Sequence, residues 1–342
     1  MRGSSFWLVY LGRRVAAALL ALLGVVLLVF VVTRMLGDPV NMILGQRATP
    51  QQIAALRHEL GYDKPIVEQF LTYLGNLLQG DLGISRYTQL PVADELADRL
   101  PATLELALAG LLLGLLWTVP LGVLAATRPG GWVDRVSQAL VEFGVAIPSF
   151  FLGLLLVLLF TYLLGITPPP VGRLDIGTAA PARVTGLLTI DALLAGDPKA
   201  FGSALKYLAL PAITLALTAC PPILQLTRNT MIGALRSNYV RGARSFGLPE
   251  RTVRWYALKN SLVPVFTMTA MTFGFLIGGT VLVETVFSWP GIGLYAVQSM
   301  QRFDYEPVLG VVLLASALYI LFYLVADLVS MAIDPRVREG AA

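Results

Sequence analysis

Few residues of this 342-residue chain could carry enzyme chemistry. One histidine, His58, and one cysteine, Cys220, exclude an internal disulfide and a multi-ligand Cys/His metal site, and they make a histidine-based triad a weak hypothesis. A phosphate-binding loop needs Gly-Lys followed by Ser or Thr, because the lysine reaches the phosphates. None of the four lysines follows a glycine: Lys64, Lys199, Lys206 and Lys259. We therefore expect no catalytic residue, no metal and no cofactor in this chain.

Three carboxylates stand out because each lies close to a long apolar run: Glu105, Glu142 and Glu284. Ionisable groups at membrane depth are costly, so they are candidates for a transport pathway or gate by default. Glu105 and Glu284 fall near the predicted external ends of their segments, where we expect water to reach them. Fixing a loop is an equal alternative for these two residues.

A basic segment, Met231 to Ser261, contains the most informative pattern. Tyr239 to Phe246 predicts a short helix with Asn238 as N-cap, and Gly247 predicts a left-handed end. Pro249 suits the first turn of a second helix. The charge alone is also typical of a loop held near anionic lipid. The helix-Gly-helix pattern favours the alternative, a knob that docks into a partner.

The elements that must position these residues are membrane helices. The chain is 56% apolar and only 13% charged, against about a quarter charged in soluble domains. A span needs about 20 mostly apolar residues. Six stretches qualify, none with the period-two alternation of a barrel strand: 15–33, 103–126, 139–164, 207–226, 262–283 and 308–331. The fold class is therefore an all-α membrane protein, and a cleaved signal peptide is a minor alternative for the first stretch.

The basic residues predict the orientation of these spans. They cluster before the first span, between the second and third, in the basic segment and after the sixth. With those pieces inside, both termini are cytoplasmic, as an even number of spans requires. Residues 1–14 and 332–342 are then cytoplasmic tails.

Residues 35–101 would form an external loop with short helices. Thr49, Pro50 and Gln52 fit a capping box, and that helix should end at Gly61. A second helix should run from about Asp63 to Gly80. We favour a packed scaffold here over a ligand site. The external stretch 166–201, rich in Gly, Ala and Pro, is a flap or a docking surface.

Six short motifs, in this order along the chain, resemble the permeases of ABC importers, and most closely their peptide and nickel branch. They are Gly80–Gly83 with Ser85, Leu100–Leu106, Tyr239–Leu248, Lys259–Val265, Glu284–Gly293 and Asp334–Arg336. The insert between the third and fourth spans, and the run Gly37–Val40, are most similar to dipeptide permeases. Asn238 and Gly242 depart from the family pattern, and Gly242 lowers helix propensity by up to about 1 kcal/mol.

The resemblance implies a type-I ABC permease fold with about six transmembrane helices in a bacterial inner membrane. It implies a first helix at 15–34, a permease core at 102–331 and a cytoplasmic coupling loop at 231–261. The sequence indicates no pathway residues beyond the three carboxylates. The resemblance assigns coupling to an ATPase to Tyr239, Val240, Arg241, Gly242, Ala243, Arg244, Phe246, Gly247 and Leu248. Among these we expect apolar contacts of Val240, Phe246 and Leu248 with the partner to outweigh its exposed ion pairs.

The implied partners are a second homologous permease chain, two cytoplasmic ATP-binding subunits that hold ATP and Mg²⁺, an external solute-binding protein and the lipid bilayer, with no nucleic acid. Dipeptides are the implied substrate. Oligopeptides, glutathione, nickel chelates and haem remain alternatives. A secondary transporter is a more distant alternative, although no clear internal repeat or midplane charge pair supports it. A membrane enzyme or an assembly subunit is weaker still.

Overall fold

The structure, a computed structural model, describes residues 3–35, 49–59 and 61–333. The motifs at 37–40 and 334–336 and most of the predicted C-terminal tail lie outside this part of the chain. The described residues form fourteen α-helices, numbered here in chain order. They are α1 Gly3–Met35, α2 Pro50–Glu59, α3 Ile66–Leu78, α4 Val92–Thr127, α5 Trp132–Ala146, α6 Ser149–Leu156, α7 Leu188–Leu194, α8 Pro198–Ala219, α9 Pro221–Leu235, α10 Asn238–Ser245, α11 Glu250–Gly279, α12 Val281–Val286, α13 Ile292–Gln301 and α14 Tyr305–Ile333.

Five described stretches are long and apolar enough to cross a membrane: Leu11–Thr33, Val92–Thr127, Pro198–Ala219, Glu250–Gly279 and Tyr305–Val329. Helix α5 and the stretch Ser149–Leu163, which begins with α6, pass the same test as a pair, but the two are bent by 104° at the break between them. Counting this broken pair as one span gives six, in agreement with the sequence.

The break lies at Ile147 and Pro148. A residue before proline avoids helical geometry, and Ile147 has extended dihedrals of φ −89° and ψ 124°. The predicted third span, 139–164, is therefore a pair of helices bent at this proline. After α6 the chain continues as a π-helical turn, Val157–Leu163, rather than as α-helix. Such turns contain one residue more than the α-helix needs.

Helix α4 begins at Val92, eleven residues before the predicted span at 103. Its first turns contain Asp94 and Glu95, which suit the positive end of a helix but interrupt the apolar pattern used to find spans. The helix also runs through Pro101 and Pro120 without ending.

The chain forms two compact units. The first contains residues 1–97 and 295–317. There, Val29 and Phe30 of α1 are buried with Leu313, and Phe30 meets Phe70 of α3 edge to face at 5.2 Å between ring centroids. The capping box is confirmed, because the Thr49 N–H donates to Gln52 Oε1 at 2.9 Å and the Gln52 N–H donates to Thr49 Oγ1 at 3.3 Å. The left-handed glycines at 61 and 80 follow α2 and α3 as predicted.

The second unit contains residues 98–294 and 318–342. Its core joins α4, α8, α9 and α11 through fully buried side chains that include Leu106, Leu215, Ile223 and Leu276. Small residues let these helices approach closely. A Cβ on Gly114 would lie 2.7 Å from Cys220 Cβ, and closer still to its sulfur. Cys220 itself is fully buried in this core.

Candidate functional site

The basic segment folds as a helix, a glycine turn and a second helix. Helix α10 ends in paired bonds from the Leu248 N–H to the Ala243 carbonyl, at 3.2 Å, and from the Gly247 N–H to the Arg244 carbonyl, at 2.9 Å. Gly247 has φ +72°. This is a Schellman ending, which satisfies the last carbonyls of α10. The predicted left-handed turn at Gly247 is confirmed, and it sets the angle at which α11 departs.

Two details of this segment differ from the prediction. The N-cap of α10 is Ser237, not Asn238. The Ser237 hydroxyl donates to the Ala234 carbonyl at 2.5 Å, so it completes α9 rather than capping α10. Asn238 is the first helical residue, and its side chain accepts a hydrogen bond from Arg241. Pro249 stands one residue outside α11, at its N-cap.

The apolar residues of α10 separate onto two faces. Val240 is fully buried and Ala243 nearly so, packed with Met231, Val253 and Ala257. Phe246, in contrast, is 86% exposed. The expectation that Val240 contacts a partner is therefore wrong, because helices α9 and α11 of its own chain already cover it.

Three apolar side chains of α10 and the turn that follows it are available to a partner: Tyr239, Phe246 and Leu248, all exposed. Arg244 pairs with Glu250 at 2.8 Å, with both side chains about half exposed. Gly242 meets nothing within 4 Å of an added Cβ, so this side of α10 is open. The arrangement is an apolar, basic tip on a helix that Val240 fixes to the body of the unit.

Glu284 lies at the centre of a buried polar cluster. It is fully buried, and it accepts hydrogen bonds from the Thr103 hydroxyl at 2.7 Å, the Thr280 hydroxyl at 3.0 Å and the Leu294 N–H at 2.9 Å. Burial raises the pKa of this carboxyl, although its hydrogen bonds act in the opposite direction. The Thr103 hydroxyl oxygen also accepts the Ile292 N–H at 2.9 Å. Glu284 thus ties α12 and the following turn to α4.

Glu105 lies in α4, two residues after Thr103, and it also joins this helix to other parts of the chain. It is 5% exposed, pairs with Arg173, and accepts both the N–H and the hydroxyl of Thr189, at 2.7 and 2.6 Å. Arg173 also lies over the Trp289 ring, 5.0 Å from its centroid. The expectation that water reaches Glu105 and Glu284 is wrong. Their contacts match the alternative that they fix loops.

Glu142 differs from these two carboxylates. It lies in α5, one turn before the break at Ile147, and it is exposed on the surface of the chain. Its neighbour Phe143 is exposed too, at 48%. A charge at this place needs water or a partner chain opposite it, because lipid would leave it unsolvated.

Sequence reasoning missed a buried ion pair between α5 and α9. Asp134 accepts two hydrogen bonds from Arg228, one of them at 2.8 Å, and the two side chains are 5% and 16% exposed. The Gly130 N–H also donates to Asp134, at 2.7 Å. The partners are 94 residues apart, so no local pattern could have paired them. The pair fixes the start of α5 beside the helix that leads into α10.

The first unit contains a cavity of about 380 Å³ whose lining mixes aromatic, polar and charged side chains, among them Phe30, Tyr73, Lys64 and Glu306. Arg86 donates to Glu306 Oε1 at 2.8 Å, and Asp304 accepts the Ser85 hydroxyl at 2.6 Å. These bonds tie the start of α14 to the turn after α3. They agree with the scaffold interpretation of this region.

Comparison with known proteins decides the family. Residues 118–339 match the binding-protein-dependent transport system inner membrane component, and residues 7–107 match the N-terminal part of such membrane components. The chain belongs to this family of ABC importer permeases. This permease is 40% identical to the probable D,D-dipeptide transport system permease of Escherichia coli K12, over 98% of this chain and 99% of that one. It is also 40% identical to the di/tripeptide transport system permease of Pseudomonas aeruginosa, over 96% and 98% of the two chains.

A solved structure of the MetNI methionine ABC transporter, in an inward-facing conformation, shares the fold of this permease. The TM-score is 0.53 at 18% sequence identity, over 70% of this chain and 96% of that one. The predicted all-α type-I permease fold is confirmed, and the chain is a multi-pass inner-membrane protein.

Proposed function

We propose that this permease moves dipeptides inward across a bacterial inner membrane, as one of two permease chains in an ATP-driven importer. The observation that carries this proposal is the 40% identity, over nearly the whole length, to permeases named for dipeptide and di/tripeptide transport. Oligopeptides, glutathione, nickel chelates and haem are the alternative cargoes. The chain acts as a permease and not as an enzyme.

The proposed partners are a second homologous permease, two cytoplasmic ATP-binding subunits and an external solute-binding protein. The ATP-binding subunits hold ATP and Mg²⁺. Membership of a binding-protein-dependent transport family supports this composition. The basic segment then faces the cytoplasm, with both termini on the same side.

In this proposal, α10 transmits the motion of an ATP-binding subunit. The exposed tip at Phe246 and Leu248 docks into that subunit, and Arg241 and Arg244 offer charge to its acidic groups. A displacement of the tip reaches α11 because Val240 is packed against Val253 and Ala257, which lie one and two turns into that helix. Since α11 runs on to Gly279 without a break, the tip and the membrane helix move together.

Glu142 is the carboxylate we propose for the pathway or for the contact with the second permease. Its exposure beside the α5–α6 break supports this assignment. Glu105 and Glu284 are proposed to hold the loops around the pathway, because their oxygens are taken by hydrogen bonds within the chain.

The test is uptake of labelled dialanine into proteoliposomes that contain this permease with its partner subunits. Wild type is compared with Phe246→Ala and with Gly247→Val. The first removes an exposed contact, and the second forces a β-branched residue to φ +72° and so redirects α11. Exposed Leu78, far along the sequence in α3, provides the control Leu78→Ala.

We expect ATP-dependent uptake, a large loss for the two α10 variants despite normal assembly of the membrane chains, and no loss for the control. Uptake that needs neither ATP nor the ATP-binding subunits would contradict the importer hypothesis and favour a secondary carrier. If glutathione or a longer peptide stimulates ATP hydrolysis and dialanine does not, only the proposed cargo is wrong.

A further inference from the structure

The first turns of α11 carry a basic and aromatic face that the coupling role does not use. Arg251, Arg254 and Trp255 are exposed on one side of the helix, Trp255 at 59%. On the other side Val253 and Ala257 are buried. The spacing i, i+3, i+4 places the two guanidinium groups and the indole next to one another.

These residues line an open cleft of about 450 Å³. Its lining is Val123, Arg251, Thr252, Arg254, Trp255 and Leu258. Val123 belongs to α4, so the cleft lies between two helices and has an apolar side. Within the described part of the chain, no hydrogen bond or ion pair joins Arg251 or Arg254 to an acid. Glu250, the nearby carboxylate in sequence, pairs with Arg244 and interacts with Arg254 only electrostatically, without a hydrogen bond.

The position of the cleft relative to the membrane follows from the sequence of α11. Leu262 to Gly279 contains no charged residue, and 18 residues of helix span about 27 Å, close to the apolar thickness of a bilayer. Leu258 then lies about 6 Å and Trp255 about 10 Å beyond the apolar boundary along the helix axis. Headgroups occupy about the first 5–8 Å beyond this boundary, so the cleft opens from the headgroup layer, where tryptophan is enriched, into the water next to it.

We propose that this cleft binds the headgroup of an anionic phospholipid. Arg251 and Arg254 hold the phosphate, since guanidinium groups form paired hydrogen bonds with phosphate oxygens. The start of an acyl chain lies along Val123 and Leu258, and Trp255 covers the site from the side. The apolar wall favours a lipid over a free phosphate ion, which would gain nothing from Val123 and Leu258.

The experiment measures lipid retention by native mass spectrometry on the full-length chain in detergent. The chain is mixed with equal amounts of phosphatidylglycerol and phosphatidylcholine that have the same acyl chains. Wild type is compared with Arg251→Gln/Arg254→Gln. The matched control is Arg128→Gln/Arg135→Gln, which removes two exposed arginines from the neighbouring loop and the start of α5. Arg251→Lys/Arg254→Lys retains the charge and guards against a folding defect.

We expect wild type to retain phosphatidylglycerol over phosphatidylcholine. In Arg251→Gln/Arg254→Gln that preference should fall by about 30-fold, equivalent to about 2 kcal/mol. The control should keep this preference, and Arg251→Lys/Arg254→Lys should keep part of it, because lysine retains the charge but not the paired hydrogen bonds of the guanidinium group. Four results would overturn the proposal: no preference in wild type, an equal loss in the control, displacement of the lipid by millimolar inorganic phosphate, or loss of the lipid when an ATP-binding subunit joins the complex. The last result would assign the cleft to a protein contact.

Discussion

Gly291 offers the sharpest test of the buried cluster around Glu284. Its backbone lies outside the left-handed region, so alanine introduces no dihedral strain. The added Cβ, however, would lie 2.5 Å from Glu284 Oε2 and 2.6 Å from Glu284 Cδ, and closer still to the Thr103 hydroxyl. Real Cβ contacts below 3.0 Å do not occur, so Gly291→Ala must push both side chains apart.

The expected loss can be worked from these contacts. Overpacking a tight site costs about 1–3 kcal/mol. Separating Thr103 from Glu284 and from the Ile292 N–H leaves buried polar groups unsatisfied, at about 1–3 kcal/mol each. Partial relaxation of the loop reduces the sum, and we expect a loss of about 3–5 kcal/mol in the free energy of unfolding. With an unfolding entropy of about 2 cal/mol/K per residue, that loss lowers Tm by about 4–7 °C.

Cys220 provides the assay, because it is the single cysteine and is fully buried. A thiol-reactive fluorogenic dye reports unfolding of the purified chain in detergent as this thiol becomes accessible. Gly202→Ala in α8 is the matched control, since an added Cβ there meets nothing within 4 Å and alanine favours the helix. If Gly291→Ala melts within about 1 °C of wild type, the tight packing around Glu284 is refuted.

Three further predictions concern stability: the first and third use the same assay, and the second follows intrinsic tryptophan fluorescence, because a thiol does not react with the dye in acid. Asp134→Ala should cost about 3–5 kcal/mol because it leaves Arg228 buried without its partner, and Asp134→Ala/Arg228→Met should recover part of that loss; equal losses would exclude the ion pair as the cause. Burial raises the pKa of Asp191, but its hydrogen bonds outweigh burial and hold the pKa below the usual 3.8. Its stabilising contribution is therefore present above that pH and lost in acid, so Asp191→Asn should lower Tm at pH 7 and flatten the fall of Tm below pH 4; parallel acid curves would contradict this. Val240→Ala should cost about 2 kcal/mol, whereas Phe246→Ala should change Tm negligibly, and the reverse order would contradict the two-faced arrangement of α10.

The sequence predicted those features that local chemistry determines. The capping box at Thr49 and the left-handed turn at Gly247 follow from side-chain types a few residues apart, and both are confirmed. The spans follow from apolar runs alone. The start of α4 was missed because its first turns at Asp94 and Glu95 are amphipathic, and an apolar window cannot detect them.

Features that depend on distant partners could not be predicted. Glu284 and Thr103 are 181 residues apart, and no local sequence pattern near either residue predicts their contact. Val240 matches the apolar type of a docking residue, yet burial against Val253 removes it from the surface. Residue type identifies the apolar side chains of α10, but only packing separates those that hold the helix from those that remain exposed.

The π-helical turn Val157–Leu163 bears on how this chain tolerates changes in length. A π-helical turn accommodates one residue more than an α-helix, so deleting a residue there would convert it to ordinary helix without a gap in the backbone. Everything after it would rotate by about 100° around the axis. The Thr161–Thr167 hydrogen bond, 2.9 Å long, would then lose its register, and with it the path of the chain into Pro168, Pro169 and Pro170. The single surplus residue thus sets the direction in which the following 24-residue stretch, 164–187, leaves the helix.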